Sequence, residues 1–135
     1  MGKRVLALAV LSLGLLGMGG LGGNRDSGLP AHDFKAVLTD ADGTRMEVDR
    51  LTAGGDTSLE GEIGRGRLRV PFDNVSNIAF EPLAGERERV RAKIALRERE
   101  PVVLTVRGST TFYGQTPGGA YQIRARDLRA IEIVP

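Results

Sequence analysis

The residue types that most often carry chemistry are sparse in this chain. His32 is the only imidazole, and cysteine is absent. Those two facts remove disulfide frameworks, thiolate nucleophiles, thiolate metal sites and multi-histidine zinc centres. To act as a base His32 would need a docked serine, and the chain has no G-x-S-x-G elbow. It reads as a solvated side chain. Asp40-Ala41-Asp42-Gly43 has the letters of a calcium loop, but the EF-hand spacing would place apolar Leu38 at the first ligand position. The four residues read as a hairpin turn instead. Gly64-Arg65-Gly66-Arg67 sets backbone N–H groups beside cations, as a phosphate cradle does. It lacks the P-loop spacing, no helix is predicted to follow, and it too reads as a turn. The 17 Asp and Glu residues offer carboxylates for glycosidase-type hydrolysis, yet no spacing singles out a pair. No catalytic residue, metal site or cofactor is expected.

Two sets of residues are candidates for binding. Arg65, Arg67 and Arg69 alternate along one segment, and Arg87, Arg89 and Arg91 along another. If the two segments are adjacent strands, the six arginines form a stripe that attracts anionic glycans, lipid head groups or an acidic partner. The competing reading is a solvated face paired with glutamates such as Glu86, Glu88 and Glu98. Phe112, Tyr113 and Tyr121 gather half of the aromatic residues within one short segment. Core packing accounts for them, with one of Phe112 and Tyr113 expected to reach the surface and Tyr113 the weak candidate for binding.

At 135 residues the chain has room for one domain, and at 41% hydrophobic it can build a core. Residues 1–23 have Lys3 and Arg4, an apolar run from Val5 to Leu16, and then glycines at 17, 19, 20, 22 and 23. That order is what the secretory machinery reads, so a signal peptide, or else an uncleaved anchor, is expected there. Residues 24–33 read as a flexible spacer. Without Lys3 and Arg4 the 19 basic residues fall to 17, equal to the 17 acidic ones. The positive net charge therefore gives little support for a nucleic-acid partner.

Residues 34–135 are expected to form an all-β domain written twice, copy one over 34–82 and copy two over 92–135. Gly61–Pro82 lies over Gly114–Pro135 without a gap, and Gly61/Gly114, Gly66/Gly119, Ile78/Ile131 and Pro82/Pro135 are identical. Lys35–Val48 lies over Lys93–Val106, which makes the second connector five residues shorter. Leu68, Val70 and Phe72 alternate with Arg67, Arg69 and Pro71, the period of a strand with one buried face. Asp42-Gly43 predicts a type I′ hairpin turn, and Glu100-Pro101 at the matching place must turn another way. Glu86–Glu100 is rich in helix formers, but the repeat assigns its second half to a strand. Each copy of about fifty residues would bury too little surface alone, so the two are expected to share a small barrel or sandwich. Such units, with an Asp-Gly hairpin and a closing I-x-x-I-x-F strand, resemble Sm-like half-barrels in fold, a likeness that carries no function. Export also argues against the RNA that such barrels usually bind.

The sequence thus points to an exported, periplasmic or extracellular envelope protein that acts as a non-catalytic binding or assembly module. Its partner is expected to be another envelope protein or a surface polymer. The alternatives are a small carboxylate-based hydrolase or carbohydrate-active enzyme, and a module that meets anionic glycans or lipids through the arginine stripe.

Overall fold

The computed structural model describes residues 33–135. Residues 1–23, the spacer up to residue 32 and His32 lie outside them. Ten strands follow one another: β1 (Ala36–Asp40), β2 (Arg45–Ala53), β3 (Ser58–Ile63), β4 (Gly66–Pro71), β5 (Val75–Leu83), β6 (Glu86–Leu96), β7 (Val102–Arg107), β8 (Thr111–Thr116), β9 (Gly119–Arg124) and β10 (Leu128–Ile133). Single 3-10 turns, Phe72–Asn74 and Ala125–Asp127, lead into β5 and β10. The domain is all-β. Segment 86–96 is one strand despite its helix formers, because Val90, Ala92 and Ile94 are buried at every second position while Arg89, Arg91 and Lys93 face water. Period two overrides local propensity when one face is buried.

All ten strands lie in one antiparallel, curled sheet, in the order β9-β8-β2-β1-β10-β5-β6-β7-β3-β4. Exchanging each strand of the first copy for its counterpart in the second reverses this order onto itself. The sheet therefore has a pseudo-twofold axis. It passes through the β5–β10 pair, where Ile78 faces Ile131, its own repeat equivalent. Each half of the sheet is built from both copies. The β3–β4 hairpin of the first copy pairs with β7 of the second, through Glu62 and Thr105. The β8–β9 hairpin of the second pairs with β2 of the first, through Asp49 and Gln115.

This symmetry corrects the overlay of Lys35–Val48 on Lys93–Val106. Ile78 faces Ile94 just as Ile131 faces Leu38, and Phe80 faces Ala92 just as Ile133 faces Ala36. Matched residues in β1 and β6 are thus 56 apart (36 and 92) and in β5 and β10 they are 53 apart (78 and 131). The second connector is shorter by three residues (56 less 53), not five. A slip of two keeps every side chain on its face, so the apolar pattern alone could not detect it.

The β1–β2 turn is also not type I′. That type needs positive φ at both central residues, and of Asp42-Gly43 only Gly43 has it, at +91°. The Asp40 carboxylate decides the geometry. Its Oδ1 accepts the amides of Asp42 and Thr44, each at 2.9 Å, which holds a three-residue loop, Ala41-Asp42-Gly43, between Asp40 and Thr44. At the matching turn the left-handed residue is Glu98, with φ 60°.

The core lies inside the curl. Ile78, Ile94, Leu104, Ile131, Phe72 and Phe112 are its largest fully buried members. Phe80 of the first copy packs edge-on against Phe112 of the second, 5.8 Å between ring centroids. The paired glycines explain their own recurrence. A Cβ on Gly114 would lie 2.6 Å from two side-chain carbons of Val48, and one on Gly61 would lie 2.8 Å from the Thr105 carbonyl. Each glycine sits where an exchanged hairpin presses on the other copy.

Candidate functional site

The two arginine strands are not neighbours: β7 and β3 separate β6 from β4. Arg67 and Arg69 project from the outer face of β4 across from Glu62 and Glu60 on β3. Glu60 accepts from both, at 3.1 Å from Arg67 Nε and 3.4 Å from Arg69 Nη2, and Asp56 lies 3.8 Å from Arg69 Nη1. On β6, Arg89 Nε donates to Glu86 at 2.6 Å and its Nη1 lies 3.6 Å from Glu62. Arg91 pairs with Glu81 at 3.5 Å. Arg65 and Arg87 are exposed and make no ion pair among the described residues. What the fold builds is rows of alternating charge, with arginines facing carboxylates across each strand boundary. The Arg89 hydrogen bond holds the Glu86 carboxyl below its ordinary range, and the same bond raises the Arg89 guanidinium. Both groups are solvent-exposed, so the pair contributes little to stability.

These rows border a groove of about 590 Å³ along β3, β4 and β7. Arg67, Arg69 and Arg89 line it, together with two residues that sequence reasoning missed: Arg107 at the end of β7 and Arg126 in the second 3-10 turn. Neither has a carboxylate within 4.0 Å among the described residues. A signal for one of them existed, because the repeat sets Arg126 opposite Asp73, a reversal of charge.

A second hollow, about 620 Å³, lies between β9 and the β1–β2 turn, with Asp40, Asp42, Asp127, Arg124 and Tyr113 on its walls. Phe112 is fully buried, Tyr113 is 43% exposed, and Tyr121 packs half-buried against the core. Burial, and then the Asp40 carboxylate, raise the Tyr121 phenol above its ordinary value. Asp40 itself caps the turn, and no cluster of three or more metal-ligating side chains occurs among the described residues.

The two ends of the sheet matter as well. Among the described residues, strands β4 and β9 each have a neighbour on one side only. Their outer edges offer backbone N–H and C=O groups to another chain. The pseudo-twofold relates one edge to the other.

Among known proteins, a family model described as "Uncharacterised protein" matches residues 30–135. The chain belongs to that family. The match takes in all ten strands and both grooves. No curated protein and no solved structure matches the chain.

Proposed function

We propose that this protein is an exported envelope component that works by binding or assembly through its sheet edges, without catalysing a reaction. The observation that carries the reading is the pair of edges, β4 and β9, that no other described strand covers at opposite ends of one sheet. Edge strands accept a further strand through main-chain hydrogen bonds, and alternate side chains give the choice of partner. On β4 those side chains are Arg67 and Arg69, which guard the edge against random pairing and favour an acidic strand. On β9 they are Ala120, Gln122 and Arg124, a less charged edge. The carboxylates of the groove along β3, β4 and β7 favour the same reading over a hydrolase. Glu60 and Glu62 are exposed and bound in ion pairs with arginines, whereas an acid catalyst needs a carboxyl withdrawn from water. Export rests on Lys3, Arg4 and the apolar run that follows.

Two measurements test the reading. Residues 1–32 fused to a phosphatase that is active only outside the cytoplasm should give activity, and Lys3→Glu with Arg4→Glu should reduce it. A photo-crosslinking residue at position 67 or 122, on the edge strands, should capture a discrete partner in the intact envelope, and one at position 47, in the middle of the sheet, should not. No phosphatase activity from the fusion, or crosslinks no denser at the edges than at 47, would refute it.

A further inference from the structure

We infer that the Arg107–Arg126 corner of the groove along β3, β4 and β7 is a binding site for a phosphate group, either free or carried as a lipid headgroup. The inference needs neither export nor a protein partner. It begins from a cross-strand pair: Arg107 on β7 faces Arg89 on β6. Like charges directly opposite repel. Arg89 is compensated by Glu86 and Glu62, whereas Arg107 has no carboxylate within 4.0 Å among the described residues.

The chain then brings a second free guanidinium to the same corner. Arg107-Gly108-Ser109-Thr110 forms a tight turn, closed by the Thr110 amide donating to the Arg107 carbonyl at 3.1 Å. The Arg126 amide donates to the Gly108 carbonyl at 3.0 Å. A Cβ on Gly108 would lie 3.2 Å from Arg126 Cβ and 2.7 Å from the Arg87 carbonyl, so glycine is what lets the base of Arg126 lie against this turn. Arg126 makes no ion pair among the described residues either. The hydroxyls of Ser109 and Thr110 line the same groove and make no hydrogen bond with other described residues.

The charge balance of the groove supports the assignment. Five arginines (67, 69, 89, 107 and 126) face four acids (Asp56, Glu60, Glu62 and Glu88). Glu60 is taken by Arg67 and Arg69, Asp56 by Arg69, and Glu62 by Arg89. Glu88 exerts its field on Arg89. The uncompensated positive charge is therefore concentrated on Arg107 and Arg126. Guanidinium forks match the oxygen spacing of a phosphate, and hydroxyls donate to its remaining oxygens. The corner belongs to one half of the sheet only, since Asp73 stands where the second copy has Arg126. Symmetry of the fold did not require it.

The test titrates the full-length protein at low ionic strength with inorganic phosphate, following the arginine side-chain Nε–H resonances. A parallel arm measures sedimentation with phosphatidylglycerol vesicles against phosphatidylcholine vesicles. Saturable shifts at Arg107 and Arg126, weakened about tenfold in Arg107→Gln or Arg126→Gln, support a site for the free anion. Vesicle binding that needs both arginines, with no response to inorganic phosphate, supports the headgroup as the source. Arg97→Gln, at a partly exposed arginine in the β6–β7 turn, is the control. The inference is overturned if neither probe binds, if both arginine variants bind as the parent does, or if Arg97→Gln loses as much as they do. Unchanged thermal unfolding of the two variants separates loss of the site from loss of the fold.

Discussion

Replacing Gly114 with alanine tests how tightly the exchanged hairpins are docked. The added Cβ would stand 2.6 Å from Val48 Cβ and from Val48 Cγ2. Carbon atoms at rest lie about 3.5–4.0 Å apart, so roughly 1 Å of separation has to be found. Val48 has little to give. It is 4% exposed, it is β-branched and stiff at χ1, and one of the clashing atoms is its own Cβ, which moves only with the backbone. Overpacking of this kind costs about 1–3 kcal/mol, and the entropy that alanine removes from the unfolded chain returns about 0.4–1 kcal/mol. A net loss of about 1–2 kcal/mol remains, seen as a fall in melting temperature on the order of 10 °C for a domain of this size. Circular dichroism during heating, with a urea titration beside it, measures both. Gly66→Ala is the control: its nearest neighbour, the Ile63 carbonyl, is 3.8 Å away, so the change should stay within about 0.5 kcal/mol. In a double-mutant cycle Val48→Gly should recover part of the Gly114→Ala loss. If Gly114→Ala melts with the parent, the contact between β8 and β2 does not set the spacing of the sheet and the reasoning fails.

Three other outcomes are expected. Arg50 sits at φ 57° in a bulge of β2, its amide donating to Asp33 Oδ1 at 2.7 Å. Arg50→Gly should therefore gain up to roughly 1 kcal/mol in urea unfolding and Arg50→Val should lose, because left-handed backbone penalises a side chain. In Tyr113→Phe the remaining phenol, Tyr121, should ionise at higher pH than free tyrosine when followed by ultraviolet absorbance, and Asp40→Asn should bring it part of the way down. Since the folded phenol holds its proton more tightly than the unfolded one, its contribution to stability is complete below the unfolded value and is lost as pH rises through the folded one. Finally, Val134 N–H donates to the Lys35 carbonyl at 2.8 Å, so the ends of the described domain adjoin. A circular permutant that joins them with a short linker and opens the chain between Ala84 and Gly85 should fold with a similar far-ultraviolet spectrum, whereas opening it inside β6 should not.

The sequence carried the fold class because strand period and repeat agree: Ile78 and Ile131 are inward residues in both. That one of Phe112 and Tyr113 faces out was legible from their alignment with Leu59 and Glu60; which one was not, and the structure buries Phe112. The exchange of hairpins was not legible, since pairing Glu62 with Thr105 or with a residue of its own copy leaves the same alternation of side chains. Nor was the two-residue slip between β1 and β6, which moves no side chain to the other face. Arg107 and Arg126 were hidden among 19 basic residues. What distinguishes them is the lack of a carboxylate nearby, a property of strand order rather than of composition. Arg67 and Arg89 looked equally available in one dimension and proved to be partnered.

The interlacing of the two copies also governs the order of events during synthesis. When the ribosome has made Leu83, the end of β5, the second hairpin of the first copy has no strand to lie against, because β7 has not yet been translated. β2 has β1 on one side from the start, but its neighbour on the other side appears only with β8, which ends at Thr116, late in the chain. Early nascent lengths therefore have nothing stable to settle into, and the polypeptide stays threadable until nearly all of it is present. Were the chain exported as proposed, a late, all-together collapse would keep the domain unfolded while it passes a translocation pore.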